Sequence, residues 1–207
     1  EITQAGIKAE TGWQTSKYAL NSTQDGWSLV SSFLYGGGGG YSNNIKEPQY
    51  QLDAHIQSPT GGRAVPDVAM DADPTTGMLV GQTQTFPDGV YFDTYRIGGT
   101  SLASPLFAGM TALKIQATQE VKGNSNGLGL LNTLIYKDHS GFSDVTGAGM
   151  DPGSVRVDYA NGLDASAGLV YTLRTFNGAV TTLKVGSGWD SETGWGSARI
   201  GWLTPVQ

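Results

Sequence analysis

Ser101 directly follows Gly98-Gly99-Thr100 and heads a long apolar run, and no other residue of this sequence is better placed to do chemistry. It opens a candidate helix with its hydroxyl at the positive end of the helix dipole, where developing negative charge is stabilised. Pro105 is expected in the first turn, where a missing amide hydrogen costs little, and Ala103, Ala108 and Gly109 are small enough for neighbouring backbone to come close. Serines also cap helices, so Gly-Thr-Ser alone does not separate a cap from a nucleophile. A second group is Asp144 and Asp190 with the turn Gly186-Ser187-Gly188. Two carboxylates plus carbonyls on a Gly-rich turn can supply the six or more oxygens that calcium takes, though aspartates near turns are also ordinary turn formers.

The elements that must carry these residues follow from periodicity and turn chemistry. Residues 29–35 read as a strand running into five glycines, 36–40. Tyr41-Ser42-Asn43 follows in place of Gly-Lys-Ser/Thr, so these glycines are expected at a tight backbone crossing and not around a phosphate. Strands are expected at 65–70, 78–85 and 90–97, separated by the turns Asp73-Pro74-Thr75-Thr76-Gly77 and Pro87-Asp88-Gly89. Asp71-Ala72-Asp73 does not extend into a calcium-binding EF-hand loop, because Pro74 intrudes and the twelfth position is Gln82. The helix from Ser101 has almost no polar face between 102 and 113, which predicts burial all round its first half; polar residues dominate from Lys114. A short helix is expected over 128–136, and 169–176 with 179–185 flank Asn177-Gly178, a two-residue hairpin signal.

Composition excludes several function classes. The chain has 207 residues, enough for one domain or part of a larger one, with 31 glycines and only 14% charged residues, so it should be loop-rich. It has no cysteine, which removes disulfide and thiolate chemistry. A net charge of -6 argues against nucleic acid, which needs clustered Lys and Arg. No stretch approaches the about 20 apolar residues of a membrane span. The first residue is Glu1, as expected of a processed chain, and Asn21-Ser22-Thr23 is a glycosylation sequon that occurs readily by chance.

The longer run Gly98-Gly99-Thr100-Ser101-Leu102-Ala103-Ser104-Pro105-Leu106-Phe107-Ala108-Gly109 resembles the nucleophile segment of the sedolisins, or serine-carboxyl peptidases. It is also similar to subtilisins, which usually carry His after the proline where this chain has Leu106. The segment Gly62-Arg63-Ala64-Val65-Pro66-Asp67-Val68-Ala69-Met70-Asp71-Ala72-Asp73-Pro74-Thr75-Thr76-Gly77 and the order Glu10-Thr11-Gly12-Trp13, glycine run, Tyr41-Ser42 resemble the sedolisins as well. So do Asp144-Val145 and Gly186-Ser187-Gly188-Trp189-Asp190 with Thr193-Gly194.

The resemblance implies a subtilisin-like α/β fold, a parallel sheet flanked by helices, with a C-terminal calcium subregion. It implies Ser101 as nucleophile, and calcium held by the side chains of Asp144 and Asp190 and the carbonyls of Val145, Gly186 and Gly188. Residues 146–185 are longer than the family pattern and read as an insertion with the Asn177-Gly178 hairpin.

The resemblance further implies acid-active endopeptidase or tripeptidyl-peptidase hydrolysis of protein or peptide substrates, through an acyl-enzyme, in a secreted protein. A serine needs a base, and the family uses a Glu oriented by an Asp, carboxylates that still accept protons in acid, with a further Asp at the oxyanion. None of their motifs is found here. His55 and His139 lie in no triad context, and Glu10, Glu47 and Asp53 qualify as a base only by charge. Residues 1–207 are therefore expected to be the C-terminal portion of one peptidase domain, with a companion N-terminal chain carrying the Glu, Asp and oxyanion Asp. The alternatives are a subtilisin-like fragment and a non-catalytic, calcium-stabilised binding or scaffold protein in which Ser101 is only a cap.

Overall fold

The structure, a computed structural model, describes every residue except 1, 4, 5, 8, 124–126, 148–151, 178–181 and 207, and the backbone alone at 2, 3, 6 and 7. In chain order the elements are β1 (Ile2–Thr3), β2 (Gly6–Ile7), β3 (Gln14–Leu20), β4 (Trp27–Gly36), β5 (Gly40–Lys46), α1 (Gln49–Asp53), β6 (Gly62–Val65), β7 (Met78–Phe86) and β8 (Gly89–Ile97). Then come α2 (Thr100–Lys122), α3 (Leu131–Lys137), β9 (Phe142–Ser143), β10 (Gly153–Tyr159), β11 (Leu169–Thr175) and β12 (Ser197–Ala198), with short 3-10 helices at Ala165–Ala167 and Ile200–Leu203.

The expected strand at 29–35 is β4, the expected pair at 78–85 and 90–97 is β7 and β8, and the two expected helices are α2 and α3. Pro87 and Asp88 close β7 onto β8, where Phe86 pairs with Gly89. Helix α2 stops at Gly123, whose left-handed backbone (φ 65°) lets its N–H reach the Gln119 carbonyl.

Two expectations need correction. Among the described residues every strand ladder is antiparallel, including the four-stranded sheet β10-β11-β3-β4, and parallel pairing occurs only at the single bridges Gln14–Asn177 and Ala69–Ser197. The expected parallel sheet is not built from this chain's own ladders. Residues 65–70 are largely irregular, because Pro66 has no N–H to donate to a ladder and the run stops after β6.

The expected Asn177-Gly178 hairpin falls on a segment of which 178–181 lie outside the described residues. Among the described residues β11 has β10 on one edge and β3 on the other, and the turn of the β10–β11 hairpin lies at 160–168.

The glycine run is a backbone crossing. A side chain at Gly36 would sit 2.6 Å from the Trp13 carbonyl, and one at Gly39 would collide with that of Ser191. The core is small and aromatic: Ile56, Ala64, Ile135, Tyr136 and Trp202 are buried, with Phe107, Phe142, Trp189 and Trp195 packed around them. A fully buried Gln51 stitches it together. Its amide donates to the Ala64 carbonyl and to the Tyr136 hydroxyl, both at 2.8 Å, and accepts the Ala64 N–H at 2.9 Å.

Candidate active site

Ser101 is the second residue of α2 and is exposed. The cap position belongs to Gly99, which has no side chain to offer, and the Gly99 carbonyl takes the N–H groups of Leu102 at 2.9 Å and Ala103 at 3.2 Å. The hydroxyl of Ser101 is therefore not spent on capping, and it has no hydrogen-bond partner among the described residues. Pro105 falls in the second turn and not the first, because α2 begins at Thr100. Without an amide hydrogen it leaves the Ser101 carbonyl with no donor four residues on.

What holds Ser101 in place is a turn that the sequence showed only as a turn. Residues 71–77 pack against 97–99: the Gly99 N–H donates to the Ala72 carbonyl at 2.5 Å, and Arg96 Nη1 to the Thr75 carbonyl at 2.8 Å. A side chain at Gly98 would lie 2.6 Å from the Ala72 carbonyl oxygen and from Pro74 N, so the approach admits only glycine. Gly99 has φ 81°, a conformation glycine adopts freely. Asp73, 6% exposed, ties this turn to the rest of the fold. Its carboxylate accepts the Trp13 indole N–H at 3.0 Å, the Thr15 hydroxyl and the Thr75 N–H at 2.6 Å. Asp73 was not singled out from sequence, because a carboxylate inside Asp-Pro-Thr-Thr-Gly looks like turn chemistry; its burial against Trp13 depends on tertiary contact.

Among the described residues no carboxylate or imidazole bonds to Ser101. Glu10 is committed to Ser197 and Arg199, each at 2.9 Å, and Asp53 accepts from Gln49 on the exposed side of α1. His139 stacks on Trp195 with ring centroids 3.9 Å apart, and His55 is exposed.

Burial of α2 all round is not observed. Leu102, Lys114 and Thr118 are buried, whereas Ser104, Pro105, Ala108, Gly109, Ala112 and Leu113 face outward, and no atom lies within 4 Å of a side chain placed at Gly109. Strands β7 and β8 are likewise exposed on both faces, with Met78, Leu79, Val80, Val90, Tyr91 and Phe92 all open. Successive apolar residues are the pattern of strands covered on both sides.

Asp144 and Asp190 meet at one turn. Asp144 Oδ2 accepts the Gly188 N–H at 2.8 Å, and Asp190 Oδ2 accepts the Gly186 N–H at 3.0 Å. Asp190, 8% exposed, also receives the Thr193 hydroxyl and the N–H groups of Glu192 and Thr193, so its lone pairs organise the 190–194 turn. Val145, next to Asp144 in the chain, is buried, and Gly186 and Gly188 have open space where a side chain would project. The donor set is oxygen only, the type a hard cation takes, and with no third acidic or imidazole side chain grouped here among the described residues such an ion would depend on backbone carbonyls.

No family model matches the chain. Over 171 residues it is 32% identical to sedolisin of Pseudomonas sp. (strain 101), an alignment covering 83% of this chain and 23% of that protein. It is 30% identical over 179 residues to tripeptidyl-peptidase sed4 of Aspergillus fumigatus, covering 78% of this chain and 27% of that one. Its fold aligns with the solved structure of Pseudomonas sedolisin, a serine-carboxyl proteinase complexed with two molecules of pseudo-iodotyrostatin, with TM-score 0.51 and 30% identity. The chain is related to the sedolisin family. That structural match covers 96% of this chain and 41% of the sedolisin chain, and it fits a subtilisin-like α/β fold. The chain spans about a quarter of the length of these curated sedolisin relatives. No helix among the described residues is long and apolar enough to cross a membrane.

Proposed function

We propose that this chain is the nucleophile-bearing part of an acid-active serine-carboxyl peptidase that hydrolyses protein or peptide substrates outside the cell. The observation that carries the reading is the uncommitted Ser101 hydroxyl in the first turn of α2, in a chain related to the sedolisins. Ser101 Oγ bonds to the substrate carbonyl carbon while a Glu on a companion polypeptide takes its proton, with an Asp orienting that Glu and a further Asp facing the oxyanion. The proton then passes to the leaving amine as the C–N bond breaks, and water hydrolyses the ester. A carboxylate base suits acid, where an imidazole is already protonated.

The open faces of β7, β8 and α2 support a companion, since apolar strands of this kind need covering on both sides. Calcium is proposed at Asp144, Asp190 and the carbonyls of Val145, Gly186 and Gly188, on the strength of two carboxylates gathered at one Gly-rich turn. Bound there, it would neutralise paired carboxylates and rigidify the turn.

The test is native mass spectrometry and peptide hydrolysis at pH 4 on the intact protein and its Ser101→Ala variant. A second polypeptide region carrying the carboxylates, and loss of turnover by several orders of magnitude in the variant, are expected. Cleavage by this chain alone would overturn the companion, and unchanged turnover in the variant would overturn the nucleophile.

A further inference from the structure

One face of the four-stranded sheet carries more positive charge than it neutralises. Asp158 is the only acidic residue in strands β3, β4, β10 and β11, and all three of their cations converge on it. Arg174 Nη2 lies at 2.7 Å, Arg156 Nε at 2.9 Å and Lys17 Nζ at 3.6 Å, and the Thr172 hydroxyl donates at 2.8 Å. Two positive charges are left over, in a chain whose net charge is -6. The register adds to the excess: Arg174 on β11 stands directly opposite Lys17 on β3, a placement in which like charges repel.

Arg174 is also short of acceptors. It is 5% exposed, and Nη2 bonds to Asp158, while Nε and Nη1 are buried without a hydrogen-bond partner among the described residues. Buried donors left unmet cost their full desolvation. At 3.6 Å Lys17 makes an ion pair with Asp158 and no hydrogen bond.

We propose that this face is a receptor for an oxyanion, a carboxylate, phosphate or sulfate group, held between Arg174 and Lys17 with Arg156 at the rim. Water would supply an acceptor and no charge. An oxyanion supplies both, and its several oxygens can accept from a guanidinium and an ammonium together. The side chains of Lys17 and Arg156 are 27% and 36% exposed against 6% for Arg174, so the group passes the first two and meets the guanidinium at the floor. The same chemistry comes from an ion in solution or from an Asp or Glu of polypeptide outside this chain. None of these residues belongs to the candidate active site or the calcium turn, so the inference does not rest on the peptidase reading.

The test uses sulfate as the probe, on the full protein containing this chain. Melting temperature is followed as millimolar sulfate replaces chloride at constant ionic strength, and the wild type is then treated with a carbodiimide, which joins an amine to a carboxylate in contact with it. A solution ion gives a saturable rise of several degrees that Lys17→Met abolishes and Arg156→Met reduces. General stabilisation by sulfate does not saturate in this range and is the same in the variants. A carboxylate from outside the chain gives no rise; instead, mass spectrometry of the digest finds Lys17 linked to an Asp or Glu beyond these 207 residues. Either result supports the receptor and identifies its source. Both substituted positions are partly exposed, and circular dichroism should show the variants folded. The proposal is overturned if sulfate gives no saturable shift and Lys17 links only to Asp158 or to nothing. A shift that survives Lys17→Met also overturns it, as the mark of an adventitious ion only.

Discussion

The Asp73 carboxylate accepts the Trp13 indole N–H at 3.0 Å, joining the start of β3 to the turn on which Gly99 and Ser101 rest. Thr15 and Thr75 donate to the same group, so removing it orphans several donors in a buried setting. Asp73→Ala should destabilise the protein by about 3 kcal/mol. Urea denaturation measures this, and the reactivity of Ser101 should fall with it.

Gly98 and Gly109 should respond in opposite ways. At Gly98 an alanine meets the Ala72 carbonyl and Pro74 at 2.6 Å, so Gly98→Ala should cost about 1–3 kcal/mol and displace the turn before Ser101. At Gly109 the space is open, and helix propensity alone should make Gly109→Ala stabilising by about 1 kcal/mol in the isolated chain. If polypeptide outside the chain packs on α2, the same substitution should be destabilising in the full protein. Thermal melts of both forms distinguish these outcomes.

Asp158 gives the sheet an acid limit. Burial pushes its carboxyl up, but the Thr172 hydrogen bond and then Arg174, Arg156 and Lys17 outweigh burial and hold it below the usual carboxylate range. A depressed acid contributes stability above its unfolded value near 3.9 and loses it as pH falls through the folded value. Asp158→Asn should therefore cost about 2–3 kcal/mol at pH 7, leaving buried Arg174 without its counter-charge, and the difference should narrow below about pH 4. Denaturation midpoints compared between pH 3 and pH 7 check it.

Calcium dependence is a separate prediction. Chelation should lower the melting temperature of the wild-type protein by several degrees, and Asp144→Asn should abolish that sensitivity. Asp190→Asn should destabilise even without metal, because Asp190 already accepts from Gly186, Glu192 and Thr193. Equal melting curves with and without chelator would remove the ion from the account.

Local chemistry made much of this protein legible. The start of α2 after Gly98-Gly99, its stop at Gly123, the β7–β8 turn at Pro87-Asp88 and the crossing at the glycine run follow from backbone preferences of glycine and proline, which act within a few residues. The run from Gly98 to Gly109 likewise carried the family resemblance. Pairing partners were not legible, because a strand's own residues do not state which edge it will meet, and nothing in the residues of β11 named β10 and β3 as its neighbours. Burial was misjudged for the same reason. The apolar stretch 102–113 records what α2 is built to pack against, while its exposure depends on which polypeptide is present. Only the tertiary structure decided that Asp73 is buried against Trp13, and that Gly99 caps the helix so that the Ser101 hydroxyl is not used for capping, since both depend on contacts between segments distant along the chain or on backbone angles that residue type permits without dictating.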